Sequence, residues 1–257
     1  MFAAVFPGQG SQSLGMMSEL HSASSIVRDT FKEANSELGY DLWNLIVNGP
    51  EAQLNDTLYT QPAMLVAGVA AWRFFKSKTT INPSIMAGHS LGEYTALVAN
   101  EFMSLEDCLN LVVIRAKSML EAMNGIEGGM AAVIGLNAED FETVCSDLST
   151  DKELIQAVNF NSEKQIVVAG HMNIIMDSVA AFKSKGAKLV KVLPVSIAAH
   201  TKIMNKCSSI LDKSLNNNIN IKGNSAFPVI HNVDAKSKDS KGDIINALCK
   251  QVNSPVL

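Results

Sequence analysis

Cysteine is scarce in this sequence, and its positions show no pairing pattern. The 257 residues contain only Cys108, Cys145, Cys207 and Cys249, which lie far apart and form no CxxC pair. Small disulfide-stapled domains are rich in cysteine, and structural zinc sites usually use CxxC pairs. The sequence therefore predicts neither a disulfide framework nor a structural zinc site, and we expect four buried thiols in a reducing compartment.

Long apolar runs are also absent. The longest stretch, residues 63–71, is far shorter than the roughly 20 residues that a membrane-spanning helix needs. The apolar N-terminus, residues 1–6, stops at Pro7-Gly8 and lacks the basic region of a signal peptide. We therefore expect a soluble, cytoplasmic protein with no membrane partner.

There is no excess of positive charge. The 21 lysines and arginines are outnumbered by 25 acidic residues, which gives a formal net charge of -4 at pH 7. Because phosphate contacts dominate nucleic-acid binding, such proteins usually carry a basic surface. We therefore predict no nucleic-acid partner. What the chain does have is apolar residues, 47% of the total, which suffice for a substantial core.

The most informative motif is a GxSxG sequence, GHSLG at residues 88–92. The apolar stretch 84–87 before it predicts a buried strand, and residues 91–99 after it predict a helix. A serine on such a strand-to-helix turn has an exposed hydroxyl, and small glycines allow the turn to close. The helix directs its free N–H groups and positive dipole end toward the same place. The motif indicates acyl transfer or hydrolysis with Ser90 as the nucleophile.

The surrounding elements predict an α/β fold whose large subdomain resembles an α/β-hydrolase, with a mostly parallel central sheet. In the helix over 24–38, we expect Ile26, Phe31, Ala34 and Leu38 to face the core. Further strands are predicted at 2–6 and 229–233, and further helices at 61–75 (with Pro62 in its first turn), 104–123, 201–215 and 243–252.

The order of elements changes between residues 124 and 195. This segment predicts β-α-β-β-α-β, the split pattern of a ferredoxin-like unit. We therefore predict a large catalytic subdomain of 1–123 and 196–257 and a small inserted subdomain of 124–195. The strands of the small subdomain are expected at 129–136, 154–160, 165–169 and 188–195, and its helices at 138–148 and 172–185.

Further motifs occur in order along the chain. They are FPGQGSQ at 6–12, YTQPA at 59–63, GHSLGEY at 88–94, VVIRA at 112–116, GMAAVIGL at 129–136, VNFNS at 158–162, PVSIAAH at 194–200 and NVD at 232–234. Together they resemble the malonyl-CoA:acyl carrier protein transacylase family of bacterial fatty-acid synthesis. The resemblance covers nearly the whole chain.

The resemblance implies a catalytic role for four residues. Ser90 matches the nucleophile and His200 its general base, and the backbone N–H groups of Gln9 and Leu91 match the oxyanion hole. The chemistry agrees, because a serine hydroxyl is a weak nucleophile until a base such as imidazole takes its proton. Attack on a thioester carbonyl then creates an oxyanion, which two preorganised N–H donors stabilise.

The resemblance also implies the substrates. Arg115 matches the clamp for the malonyl carboxylate, which a guanidinium binds through two parallel hydrogen bonds, and Gln61 lies near the acyl group. The implied donor is malonyl-CoA, and the implied acceptor is the phosphopantetheine thiol of acyl carrier protein, with no bound cofactor and no metal. We expect a monomer. Candidates for steering the acidic carrier protein are Lys117, Lys188 and Lys191.

Two features depart from the family pattern. Many malonyl-specific relatives carry phenylalanine or serine before the histidine, so Ala199 predicts a somewhat broader acyl range. The sequence also ends at Leu257, before the further secondary structure and the glycine-proline-glycine turn of the family. If Leu257 is the terminal residue, we expect its carboxylate near His200, in place of the backbone carbonyl that orients the base, and some core surface uncovered.

Three further functions are compatible with the serine motif. A serine hydrolase acting on thioesters or esters has the same elbow, but it usually needs an acid between the serine and the histidine in chain order. Asp140, Asp147, Asp151 and Asp177 lie in that interval without a recognisable context. A discrete acyltransferase of a polyketide synthase and an inactive carrier-protein-binding module would also carry these motifs.

Overall fold

The described residues build two separate β-sheets, one largely parallel and one antiparallel. The structure is a computed structural model that describes residues 1–217, 219–222 and 227–257. In chain order its elements are β1 (Ala3–Phe6), α1 (Ser18–Ala23), α2 (Ser25–Leu38), α3 (Leu42–Asn48), α4 (Glu51–Leu54), α5 (Thr57–Lys78), β2 (Ile85–Gly88), α6 (Leu91–Ala99), α7 (Leu105–Ala122), β3 (Gly128–Ile134), α8 (Ala138–Leu148), β4 (Ile155–Ser162), β5 (Gln165–His171), α9 (Met172–Ser184), β6 (Leu189–Val192), a short 3-10 turn (Lys202–Met204), α10 (Asn205–Asn217), β7 (Val229–His231), β8 (Lys236–Ser237) and α11 (Lys241–Gln251).

The first of two compact units consists of residues 1–117 and 211–247. Its sheet has the strand order β1-β2-β7-β8, in which β1, β2 and β7 are parallel and β8 is antiparallel to β7. Strand β1 lies at one edge of this sheet, and its residue Val5 is 70% exposed. The prediction of a mostly parallel sheet that carries the GxSxG turn is confirmed. Because β2 and β7 are parallel neighbours, the segments that follow them leave the same edge of the sheet.

The second unit consists of residues 118–210 and 248–257. Its strands are antiparallel and have the order β4-β5-β3-β6. Helices α8 and α9 contribute Phe141 and Phe182, which contact each other with ring centroids 5.1 Å apart in a core that includes Val133 and Val168. The chain order β3-α8-β4-β5-α9-β6 confirms the ferredoxin-like prediction.

The contacts divide the chain at residues other than the predicted boundaries near 123 and 195. Helices α7, α10 and α11 each begin in one unit and end in the other. Residues 248–257 belong to the second unit because the Val256 N–H donates to the Val158 carbonyl (2.8 Å) and the Val256 carbonyl accepts from the Phe160 N–H (2.9 Å). A pattern of helices and strands does not reveal such pairing, since these residues are about 100 positions apart in the sequence.

Helix α5 begins earlier than predicted. Asp56 caps it by accepting a hydrogen bond from the Leu58 N–H (2.8 Å), so the helix starts at Thr57 and not at Gln61. Pro62 therefore lies inside the helix and not in its first turn. A proline there removes one main-chain hydrogen bond. Burial of the helix along residues 60–67 offsets that loss through packing.

The buried side of α2 is also rotated from the prediction. Phe31 and Ala34 are buried as expected and Leu38 is partly buried, but Ile26 is 37% exposed. Val27 takes its place, because Val27, Phe31 and Ala34 lie on one face of a helix with 3.6 residues per turn.

Candidate active site

Ser90 occupies the turn between β2 and α6. Its backbone has φ 51° and ψ -106°, a conformation that residues other than glycine rarely adopt. Such strain costs about 1–3 kcal/mol and persists only where the surroundings impose it. The predicted strand-turn-helix context of the motif is confirmed, with Leu91 as the first residue of α6. In this first turn the Gly92 N–H donates to the His89 carbonyl (2.9 Å) and the Glu93 N–H donates to the Ser90 carbonyl (3.1 Å).

The two glycines of the motif are required by close main-chain packing. A methyl group on Gly88 would lie 1.9 Å from the carbonyl carbon of Gly92. A methyl group on Gly92 would lie 2.1 Å from the carbonyl oxygen of Phe6. Both neighbours are backbone atoms, which cannot rotate away. The glycines therefore allow the strand, the turn and the loop after β1 to meet at the serine.

The loop after β1 lies against this turn. The His89 N–H donates to the Phe6 carbonyl (3.0 Å), and a methyl group on Gly8 would lie 2.3 Å from the His89 carbonyl oxygen. The next residue, Gln9, is exposed, and its Nε2 donates to Thr57 Oγ1 (3.0 Å). The structure thus brings the Gln9 loop beside the serine turn, and the role of the Gln9 N–H as a main-chain donor stays a prediction.

Arg115 lies on α7 and contacts the serine directly. Its Nη2 donates to Ser90 Oγ (3.1 Å), and its Nη1 donates to Gln61 Oε1 (2.6 Å). Arg115 is only 2% exposed and Gln61 is fully buried. The guanidinium carbon also lies 5.3 Å from the centre of the Tyr94 ring, a cation-π distance. These three contacts place the buried guanidinium beside the Ser90 hydroxyl.

A second set of buried residues, at the end of β7 and in the first turn of α6, forms hydrogen bonds that stabilise the serine turn. The Ser90 N–H donates to Asn232 Oδ1 (2.7 Å), and Asn232 Nδ2 donates to the Gly88 carbonyl (2.7 Å). Glu93 Oε2 accepts from the Asn232 N–H (2.9 Å), and Glu93 Oε1 lies 2.6 Å from His231 Nδ1. The sequence analysis assigned no role to Glu93, His231 or Asn232. The signal available was the place of Glu93 in GHSLGEY and of Asn232 in NVD, two motifs whose strands are neighbours in the sheet. His231 lies outside both motifs and directly precedes NVD.

His200 belongs to the second unit. The ring atom Nδ1 of His200 lies 2.6 Å from the carbonyl oxygen of Gln251, and the main-chain N–H of His200 donates to the Val252 carbonyl (2.9 Å). Because a carbonyl can only accept, Nδ1 is the donor, and a neutral ring then carries its lone pair on Nε2. The residue is 3% exposed and has φ 64°.

The expected position of the terminal carboxylate is wrong. The group that accepts from His200 Nδ1 is the carbonyl of Gln251, six residues before Leu257. Leu257 is 56% exposed, because its neighbour Val256 pairs with β4. The residue before the histidine, Ala199, is half-buried, and its effect on the acyl range stays a prediction.

The candidate acids of a hydrolase triad lie on the second unit. Asp147, Asp151 and Asp177 are exposed, and Asp140 is half-buried on the first turn of α8. The first unit brings Arg115 into direct contact with both Ser90 and Gln61, and Leu91 follows Ser90 in the chain.

The remaining predictions concern thiols, metals and membranes. All four cysteines are buried thiols, and none of them forms a disulfide. Burial raises the pKa of the Cys145 thiol to about 12 and also raises the pKa of the Cys108 thiol. Within residues 1–217, 219–222 and 227–257, no three histidine, cysteine or acidic side chains cluster closely enough to hold a metal ion. No helix in that part of the chain combines the length and apolarity needed to cross a membrane.

Comparison with known proteins identifies the family. Residues 3–253 match the acyl transferase domain family. The chain is 43% identical over 255 residues to the malonyl CoA-acyl carrier protein transacylase of Salmonella typhimurium. The aligned residues make up 99% of this chain and 82% of that protein. The solved structure of the corresponding transacylase from Coxiella burnetii is 41% identical with a TM-score of 0.96, covering 99% of this chain and 80% of that one. A solved complex of a type II PKS acyl-carrier protein with its malonyl-transacylase is 43% identical to this chain with a TM-score of 0.95, covering 99% and 82% respectively. The chain therefore belongs to the malonyl CoA-acyl carrier protein transacylase family.

Proposed function

We propose that the protein transfers a malonyl group from malonyl-CoA to the phosphopantetheine thiol of acyl carrier protein, through an ester on Ser90. Family membership and the names of the relatives support this reaction. The contact between the buried Arg115 guanidinium and Ser90 Oγ (3.1 Å) is the observation that carries the choice of malonyl. Malonyl differs from acetyl by one carboxylate, and a preformed cation beside the nucleophile binds that group.

In the first half of the reaction, Ser90 Oγ attacks the thioester carbonyl carbon of malonyl-CoA. His200 Nε2 takes the hydroxyl proton, and its Nδ1–H stays bonded to the Gln251 carbonyl (2.6 Å). The N–H groups of Leu91 and Gln9 stabilise the oxyanion. The carbon-sulfur bond then breaks, the thiolate of CoA takes the proton from His200, and a malonyl-serine ester remains.

The second half repeats these steps with a different nucleophile. The phosphopantetheine thiol gives its proton to His200 Nε2 and attacks the ester carbonyl. The carbon-oxygen bond to Ser90 breaks, and the serine oxygen takes back the proton. No net change occurs in the enzyme, so one base and one oxyanion hole serve both halves.

The carrier protein is proposed as the partner on two grounds. A solved relative is in complex with an acyl-carrier protein. The candidate steering lysines Lys117, Lys188 and Lys191 are all exposed, as electrostatic attraction of an acidic partner requires. A cytoplasmic monomer stays our expectation.

A pulse-chase experiment tests the function. The protein is incubated with radiolabelled malonyl-CoA, freed of CoA, and divided between buffer and buffer with phosphopantetheine-loaded acyl carrier protein. We expect one malonyl group per chain, stable in buffer and transferred to the carrier protein. Equal loss of label in both samples indicates a hydrolase instead, and absence of label together with carrier-protein binding indicates an inactive binding module.

A polyketide-type carrier protein is the second candidate acceptor, because the relative in the solved complex serves a type II PKS. Competition between a fatty-acid and a polyketide carrier protein in the chase separates the two. The acceptor that takes most of the label at equal concentration is the physiological class.

Replacing Arg115 by alanine is expected to change substrate choice. Malonyl transfer should fall about 100-fold or more, since breaking a buried charge pair costs about 2–5 kcal/mol. Acetyl transfer should fall much less, because acetyl has no carboxylate to lose. The measurement is the ratio of kcat/KM for malonyl-CoA to kcat/KM for acetyl-CoA.

The matched control is Arg73→Ala in the same unit. Arg73 forms a partly exposed ion pair with Glu33 (2.6 Å), which contributes little to stability. This variant should keep the wild-type ratio. Equal losses of malonyl and acetyl transfer in Arg115→Ala would show that Arg115 does not bind the carboxylate.

A further inference from the structure

We propose that Asn232 is a positioning residue for acyl transfer, which it serves by holding Ser90 in its strained conformation. This proposal rests on the proposed function, because the reaction of Ser90 is the one that Asn232 supports. The strained backbone of Ser90 (φ 51°, ψ -106°) needs a compensating contact. Two hydrogen bonds from one side chain supply that contact.

The Asn232 carboxamide binds the turn on both sides of His89. Its Oδ1 accepts from the Ser90 N–H and its Nδ2 donates to the Gly88 carbonyl, each at 2.7 Å. Asn232 is only 6% exposed. A carboxamide has a donor and an acceptor side by side, so it can satisfy both main-chain groups at once. The two bonds join residues that are 142 and 144 positions apart in the sequence.

Asn232 is itself fixed to the helix that follows the serine. Glu93, in the first turn of α6, accepts from the Asn232 N–H (2.9 Å) and lies 2.6 Å from His231 Nδ1. Glu93 and His231 are completely buried. Hydrogen bonds to a carboxylate are roughly twice as strong as neutral ones, and a carboxylate in the first turn interacts favourably with the helix dipole. The turn, the helix and the segment after β7 therefore form one closed network.

The network also determines which N–H groups face a substrate. The Ser90 N–H is used by Asn232, so the next donor along the turn is the Leu91 N–H. An oxyanion is stabilised only by donors that are held in place before the reaction. Loosening the turn should therefore weaken binding of the transition state while leaving ground-state binding of malonyl-CoA unchanged.

The experiment compares Asn232→Ala with the wild-type protein. We expect kcat for malonyl transfer to fall about 10- to 100-fold, while KM for malonyl-CoA stays within about threefold. Malonyl-Ser90 should still form to one group per chain at long times, but at a slower rate. The fraction of folded molecules in each sample is determined from thermal unfolding, and kcat is calculated per folded molecule.

Asn100→Ala is the matched control. Asn100 is 4% exposed and makes a similar two-sided bridge, since its Nδ2 donates to the Phe227 carbonyl (2.6 Å) and its Oδ1 accepts from the Phe227 N–H (3.3 Å). Neither of these bonds involves the serine turn. Asn100→Ala should lower the unfolding temperature and leave kcat within about twofold of wild type.

A second variant, Asn232→Asp, covers the case in which Asn232→Ala does not fold. It keeps the side-chain volume and an acceptor for the Ser90 N–H, but places an oxygen against the Gly88 carbonyl, so kcat should also fall with KM unchanged. The proposal is overturned if a folded Asn232 variant keeps kcat within about twofold, or if Asn100→Ala lowers kcat equally. Failure of the wild-type protein to form a malonyl-enzyme would refute the proposed function, which is a separate result.

Discussion

Replacing Ser90 by alanine is expected to abolish malonyl capture and to reduce transfer by on the order of 10⁴-fold or more. The malonyl-enzyme cannot form without the hydroxyl, and losing the nucleophile of a serine acyl-transfer enzyme removes nearly all of the covalent route. The residual rate would come from binding and the oxyanion hole alone. The measurements are steady-state transfer and the intact mass of the chain after incubation with malonyl-CoA.

The fold should tolerate this substitution. The variant loses the contact between Ser90 Oγ and Arg115 Nη2 (3.1 Å), but the N–H of residue 90 that donates to Asn232 (2.7 Å) belongs to the main chain and is kept by alanine. Serine and alanine pay a similar cost for a positive φ. The unfolding temperature of Ser90→Ala should therefore lie close to that of the wild-type protein.

The control is Ser84→Ala, at the opposite end of the same strand. Ser84 is exposed immediately before β2, so this variant should keep full activity and full labelling. Cysteines should not compete for the label, because burial raises the pKa of the Cys145 thiol to about 12 and keeps it protonated at neutral pH. Labelling of Ser90→Ala at the wild-type stoichiometry would assign the nucleophile to another residue.

Local patterns predicted the serine turn well, because its signals lie close together in the sequence. GHSLG sits between a strand and a helix as expected, and its glycines meet backbone atoms that leave no room for a side chain. Ser104 likewise caps α7, as a serine before an acidic first turn predicts, by accepting from the Asp107 N–H (3.0 Å). The ferredoxin-like order followed from the alternation of short apolar segments.

Long-range contacts determined what the sequence could not reveal. The partner of His200 is a main-chain carbonyl 51 residues away, and every residue has such a group, so no side-chain pattern marks Gln251. Asn232 was visible within a motif, but its role depends on β7 lying next to β2. Packing also decided the position of Pro62 within α5, where local propensity alone predicts a helix start.

Replacing His200 by asparagine is expected to reduce the rate of malonyl-enzyme formation by on the order of 10⁴-fold. Asparagine has no side-chain base to take the serine proton, and serine proteases that lose their histidine lose about as much activity as those that lose their serine. The ester should still form slowly to one group per chain, because Ser90 and Arg115 are unchanged. Rapid-quench measurement of the labelling rate gives the size of the loss.

Asparagine is the substitution that separates chemistry from folding at this position. His200 has φ 64°, and asparagine tolerates that region better than alanine does. Its Nδ2–H can also donate to the Gln251 carbonyl, as His200 Nδ1 does at 2.6 Å. Loss of activity in a variant with wild-type unfolding temperature is therefore a loss of the base and not of the fold.

His171→Asn is the matched control within the second unit. His171 Nδ1 accepts from the Leu154 N–H (3.0 Å), a structural contact that asparagine Oδ1 can replace. This variant should label at the wild-type rate. If His200→Asn also labels at that rate, then His200 does not take the serine proton, and the orienting bond to Gln251 serves only the fold of the second unit.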